Sequence, residues 1–144
     1  MVTVLAVRHA DIDLPTGSTD PGLNAAGRAR AEALGRAVRS AGVGAVFHPE
    51  FARTQQTVAP SATALGLAPQ LTPSAEVFAR DALSGDLRAV VLVAGHSDTI
   101  PSILAALGAT PAPAIGEREF DNLFVLTAPA GDGAHLLHLR YGSG

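Results

Sequence analysis

Val2-Thr3-Val4-Leu5-Ala6-Val7 runs straight into Arg8-His9-Ala10. A short apolar run rich in β-branched residues, interrupted only by Thr3, reads as a buried strand. Near-continuous apolar strands belong to parallel sheets covered on both faces. Such a strand ends here in a guanidinium and an imidazole, at the edge where open α/β sheets bind ligands. Two later segments repeat the arrangement: Phe51-Ala52-Arg53-Thr54-Gln55-Gln56-Thr57 and Ala94-Gly95-His96-Ser97-Asp98-Thr99. Two arginines and two histidines, each just after an apolar run, point to a site for a phosphoryl group.

The remaining pattern supports that architecture. Residues 10–22, rich in Asp, Pro, Gly, Ser and Thr, read as a loop. Asn24 can cap a helix running to about Ala41, with Ala31, Leu34, Val38 and Ala41 on one face. Val43 to Phe47 reads as a second strand. Ala52 to Leu65 reads as a helix stopped by Gly66, with Pro60 expected to kink or divide it. Leu67 to Leu71 is a weak third strand, and Ala75 to Leu83 an uncertain helix inside an ambiguous stretch, 73–88. Ala89 to Ala94 is the most apolar strand. Thr99 to Leu107 reads as a helix that tolerates Pro101 near its first turn. Residues 108–117 read as a loop. Leu123–Thr127 and His135–Arg140 read as two last strands joined by a hairpin turn at Pro129-Ala130-Gly131-Asp132-Gly133. The expectation is one α/β domain over 1–144. It has a three-layer, mostly parallel sheet, helices on both faces and a C-terminal antiparallel hairpin.

Composition narrows the function classes. The chain has 144 residues and a net charge of −3 with no basic cluster, which argues against nucleic acid as a partner. It has no cysteine, which removes disulfides and thiolate metal sites. The apolar start has no positively charged leader and reads as a strand, not a signal peptide. No apolar run approaches the roughly 18–20 residues that cross a bilayer. A cytoplasmic location with no membrane partner is the expectation.

The candidate residues have defined chemistry. Arg8 and Arg53 can form paired hydrogen bonds to phosphate oxygens, and a helix N-terminus near Arg53 favours an anion. A neutral imidazole can attack phosphorus, and a protonated one can stabilise charge on the transferring oxygens; His9 and His96 are the candidates. His135 and His138 lie three apart on a strand, point to opposite faces and make a poor metal pair. His48-Pro49 follows the second strand and could line the site. No metal-ligand grouping stands out and no Gly-x-x-x-x-Gly-Lys occurs.

Arg8-His9-Ala10, the Phe51–Thr57 segment and Gly95-His96-Ser97-Asp98-Thr99, in that order, resemble the histidine phosphatase superfamily, the phosphoglycerate-mutase-like group. Asp20-Pro21-Gly22-Leu23-Asn24-Ala25-Ala26-Gly27 resembles the opening of that family's first helix, and Asp121-Asn122-Leu123-Phe124-Val125 its late strand. The resemblance spans almost the whole chain. It implies that His9 is the nucleophile that becomes phosphohistidine, and that Arg8, His9, Arg53 and His96 form the phosphate pocket. It implies no metal and no cofactor. The leaving group needs a general acid. Glu76, between the third strand and the next helix, is the first choice; Asp98 and Asp11 are its rivals. Without a donor, substrates with good leaving groups, such as phosphoramidates or acyl phosphates, would suit the site.

The function expected is hydrolysis of phosphomonoesters or phosphoramidates, borne on small molecules or on protein. A mutase is the alternative, but it must shield a phosphorylated intermediate, and about 30 residues between Gly66 and His96 offer little for a lid. A non-catalytic phosphate- or phosphoprotein-binding module is the third reading. The sequence does not disclose the oligomeric state.

Overall fold

The computed structural model describes residues 1–128 and 133–142. Its strands are β1 (Val2–Arg8), β2 (Ala45–His48), β3 (Gln70–Leu71), β4 (Val90–Gly95), β5 (Asn122–Ala128) and β6 (His135–Arg140). Its helices are α1 (Ala25–Val38), α2 (Ala52–Leu65), α3 (Ala75–Ser84) and α4 (Thr99–Ala106). The strands form one six-stranded sheet in the order β3-β2-β4-β1-β5-β6. Its β3-β2-β4-β1 portion is parallel, while β5 pairs antiparallel with both β1 and β6.

Alternation along β1 builds a core on each face of the sheet. Val2, Val4 and Ala6 join Phe78, Ala79 and Ala82 of α3 and Ile100, Ile103 and Leu104 of α4. Leu5 and Val7 join Leu34 and Val38 of α1 and Val58 and Ala62 of α2. Burial on both sides explains why β1 and β4 carry almost nothing polar until they reach their C-terminal ends.

Local chemistry sets the helix limits. The Asn24 side chain accepts from the Gly27 N–H and starts α1, which ends at Val38 rather than Ala41; Ala41 is exposed. Gly66, with φ of 68°, ends α2. Pro60 does not divide α2, which runs unbroken from Ala52 to Leu65. Val58, Ser61 and Ala62 on either side of Pro60 are buried, and this packing holds the helix together across it. The ambiguous 73–88 stretch contains α3, capped by the Ser74 side chain accepting from the Val77 N–H. Strand β3 is only two exposed residues, shorter than the 67–71 expected. An edge strand with few apolar residues has little to bury. Of the hairpin turn expected at 129–133, residues 129–132 lie outside the described residues.

No helix among the described residues is long and apolar enough to cross a membrane.

Candidate active site

Strand pairing brings the two histidines together. In the parallel β1–β4 ladder Arg8 sits beside Gly95. The His9 N–H donates to the Gly95 carbonyl at 2.8 Å, which extends the pairing by one step. His9 and His96 therefore leave adjacent strand ends side by side, with ring centroids 5.5 Å apart. Arg53 arrives from the first turn of α2. Arg8, His9, Arg53 and His96 all line one cleft of about 520 Å³ at the C-terminal edge of β1 and β4. Ile12, Thr16, Ser18, Thr19 and Pro21 supply one wall, and Phe51 and residues 97–99 another.

The cleft is built to attract an anion. Arg8 Nε, Arg53 Nη1 and His96 Nε2 are buried nitrogens without a hydrogen-bond partner among the described residues. Buried polar atoms left unbonded cost free energy, and an oxyanion would recover it at the two guanidinium nitrogens, and at His96 Nε2 when that nitrogen carries a proton. Arg8 is itself held from behind. Its Nη1 donates to the carbonyls of Gly116 (3.2 Å), Glu117 (2.8 Å) and Glu119 (2.8 Å), and Phe120 lies under the guanidinium at 4.3 Å. Arg53 lies 4.8 Å over the Phe51 ring and 3.9 Å from Asp20, too far for a strong pair.

His9 is nearly buried, at 3% exposure. Its Nδ1 lies 2.8 Å from the Ala10 carbonyl oxygen. A carbonyl can only accept, so Nδ1 carries the proton and Nε2 keeps a free lone pair. Burial, with the positive charges of Arg8, His96 and Arg53, pushes the His9 pKa down to about 4. The ring is therefore neutral at neutral pH. Burial also lowers the His96 pKa, aided by Arg53 and Arg8 and opposed by Asp98. A bound dianion would reverse the balance and favour the cationic form.

The three candidate acids lie in different places. Asp98 lines the cleft, is exposed and makes no capping hydrogen bond to α4. Asp11 is engaged elsewhere, in an ion pair with Arg30 at 2.7 Å. Arg30 in turn donates to the Tyr141 carbonyl at 2.8 Å, so this pair ties the 10–12 loop to α1 and the chain end. Glu76 is not brought to the cleft: it is exposed on the first turn of α3 and is absent from the lining. The spacing between β3 and α3 did not reveal which way that turn faces. His48 does not line the cleft either.

Sequence reasoning missed several contributors. Phe51 packs edge-to-face with His96 at 5.0 Å, and Phe120 lies 5.8 Å from His9. The carboxylate of Asp20 accepts from the Ala52 N–H at 2.9 Å and so caps α2 from a distant loop. The one readable signal for that cap was the absence of Ser, Thr, Asp or Asn at Phe51, the N-cap of α2. Among the described residues, no three or more His, Cys, Asp or Glu side chains cluster in a way that could hold a metal ion.

The sequence and the fold are similar to those of known proteins. Part of the chain is 43% identical, over 66 residues, to the PE-PGRS family protein PE_PGRS11 of Mycobacterium tuberculosis. That stretch is 45% of this chain but only 11% of that protein. The fold is similar to the protein histidine phosphatase SixA complexed with tungstate, at a TM-score of 0.78 and 18% identity, covering 96% of this chain and 97% of that one. It is similar as well to a mycobacterial glucosyl-3-phosphoglycerate phosphatase with inorganic phosphate, at a TM-score of 0.71 and 14% identity, covering 99% and 98%. The family model for the histidine phosphatase superfamily (branch 1) matches residues 4–76, a segment that contains most of β1 together with Arg8, His9 and Arg53. The chain belongs to the histidine phosphatase superfamily.

Proposed function

We propose that this chain is a phosphatase in which His9 Nε2 attacks phosphorus. The observation that carries this reading is the His9 ring: Nδ1–H is committed to Ala10, which leaves Nε2 free in the cleft that Arg8, Arg53 and His96 also line. In the first step an Nε2–P bond forms as the bond from phosphorus to the leaving atom breaks. Arg8, Arg53 and protonated His96 hold the three peripheral oxygens. In the second step water attacks phosphorus, the P–N bond breaks and its electron pair returns to Nε2. The proton from water passes to the Asp98 carboxylate.

The substrate reading follows from the acid. Asp98 is the carboxylate on the cleft wall, and it is exposed. An exposed carboxylate is a ready base for the second step and a poor acid for the first. Phosphoramidates and aryl phosphates, whose leaving groups depart with little help, should turn over faster than alkyl phosphates. The cleft also opens to solvent past exposed Thr16, Ser18 and Thr19. That openness suits a phosphate borne on a protein, which the name of the similar SixA structure also suggests, and disfavours a mutase.

The test is turnover of p-nitrophenyl phosphate, phosphohistidine and glycerol phosphate by the purified protein. Turnover of the first two, lost in His9→Ala, is expected. Asp98→Asn should slow hydrolysis by about 10-fold or more while Glu76→Gln leaves it within about 2-fold, since general catalysis contributes at least that much. Binding of phosphohistidine without turnover would replace the enzyme reading with a binding module.

A further inference from the structure

Thr57 makes two hydrogen bonds that join the Ala10 backbone to the turn of α2 carrying Arg53. It sits on α2 one turn after Arg53 and is fully buried. Its hydroxyl donates to the Arg53 carbonyl at 2.7 Å, the common i−4 bond of a helical threonine. The same oxygen accepts the Ala10 N–H at 2.8 Å, across 47 residues of sequence. Ala10 is the residue whose carbonyl takes the His9 Nδ1 proton at 2.8 Å. One hydroxyl therefore clamps the backbone that sets the His9 tautomer to the helical turn that carries Arg53. Removing the oxygen would orphan a buried N–H at Ala10 and free that loop to turn.

We propose that Thr57 is the positioning residue for the nucleophile: through Ala10 it keeps the His9 proton on Nδ1 and Nε2 facing the phosphate cradle. Valine in its place would keep the volume and lose both bonds. Serine would keep both bonds and lose a methyl group. The proposal rests on the phosphatase reading for its kinetic consequence but not for its structural one.

The experiment uses the full chain with Thr57→Val and Thr57→Ser. Nitrogen-15 spectra of the histidine rings at neutral pH read the His9 tautomer directly, whether or not the protein turns anything over. Wild type and Thr57→Ser should show the proton on Nδ1, and Thr57→Val a mixture of tautomers. With p-nitrophenyl phosphate, Thr57→Val should lose about 10- to 100-fold in kcat, the scale of a small misplacement of a reacting group. Thr57→Ser should stay within about 3-fold of wild type, as expected when only packing changes modestly. An unchanged His9 tautomer in folded Thr57→Val overturns the proposal, and so do equal losses in the two variants. If Thr57→Val does not fold, Thr57→Ala is read in the same spectra with the same criterion. A wild type that shows the Nδ1 proton but no turnover sinks the phosphatase reading and leaves the clamp standing.

Discussion

At the end of β1, His9 Nδ1 donates to the carbonyl of the next residue at 2.8 Å; at the end of β2, His48 does the same, at the same distance. Both rings are nearly buried, at 3% and 9% exposure. Their surroundings differ. Strand β1 is central, flanked by β4 and β5, so the β4 end delivers His96 beside His9. Strand β2 lies between β4 and the two-residue β3. The Pro49 carbonyl that His48 bonds also accepts from the Phe51 N–H and the Thr54 hydroxyl. His48 thus braces the turn into α2. The same local bond fixes a tautomer in both places, and only the neighbours set one of them in the cleft with Arg8, Arg53 and His96.

Substitution of the two histidines should break the comparison most sharply. His9→Ala is expected to lower kcat on p-nitrophenyl phosphate by roughly 10³-fold or more, the scale of losing a nucleophile. Rapid acid quench should show phosphorylated wild-type protein and none of this variant. If His48→Ala falls as far, the distinction between the two strand ends is wrong.

pH should separate the two ends next. The folded His9 pKa lies near 4, below the usual value of 6.5. Between those values the unfolded chain takes up a proton that the folded chain refuses. The contribution of His9 to stability is therefore complete above about pH 6.5 and shrinks as pH falls towards 4, by up to about 3 kcal/mol. Urea titrations across this range should show the loss in wild type and a flatter profile in His9→Phe. With the neutral ring as the proposed attacking form, kcat/KM should not lose its His9-dependent component until pH approaches 4.

The cradle offers a smaller effect. Arg53→Ala should weaken tungstate or phosphate binding by about 10- to 100-fold, the value of a charge-assisted hydrogen bond, as read by calorimetry. Arg8→Ala should cost stability as well as affinity, because Arg8 also holds three carbonyls of the 116–119 segment.

Smallest is the effect of the frame behind the site. A Cβ on Gly27 would run into the Asp11 backbone, so α1 can approach the 10–12 loop only at glycine. Gly27→Ala should cost about 1–3 kcal/mol of stability by denaturant titration, as overpacking does. Activity should fall less than for either cradle arginine, because Asp11 lies two residues beyond His9 and pairs with Arg30 rather than facing the cleft.

Much of this was legible in residue order. Each apolar run announced a strand, and the polar residue that ended it announced the sheet edge, because burial on both faces is a local demand on sequence. Arg8, His9, Arg53 and His96 were found that way, and the cleft collects all four. Which candidate carboxylate reaches the cleft was not legible. Glu76, Asp98 and Asp11 are each plausible by spacing, and nothing local says which way a carboxylate on a loop or first turn faces. Packing of Arg30 takes Asp11, the outward first turn of α3 takes Glu76, and the α4 entry leaves Asp98 on the wall.

The chain by itself determined the strands, most of the helices, the tautomer-setting potential of a histidine at a strand end and the family resemblance. All of these depend on neighbours within a few residues. Only the tertiary structure decided that β5 would lie antiparallel against β1, that residues 116–119 would grip Arg8 and that Thr57 would reach Ala10. Those contacts join residues 47 to more than 100 positions apart. Their geometry is set by how two helix layers pack against one sheet, and a linear pattern of residues does not contain it.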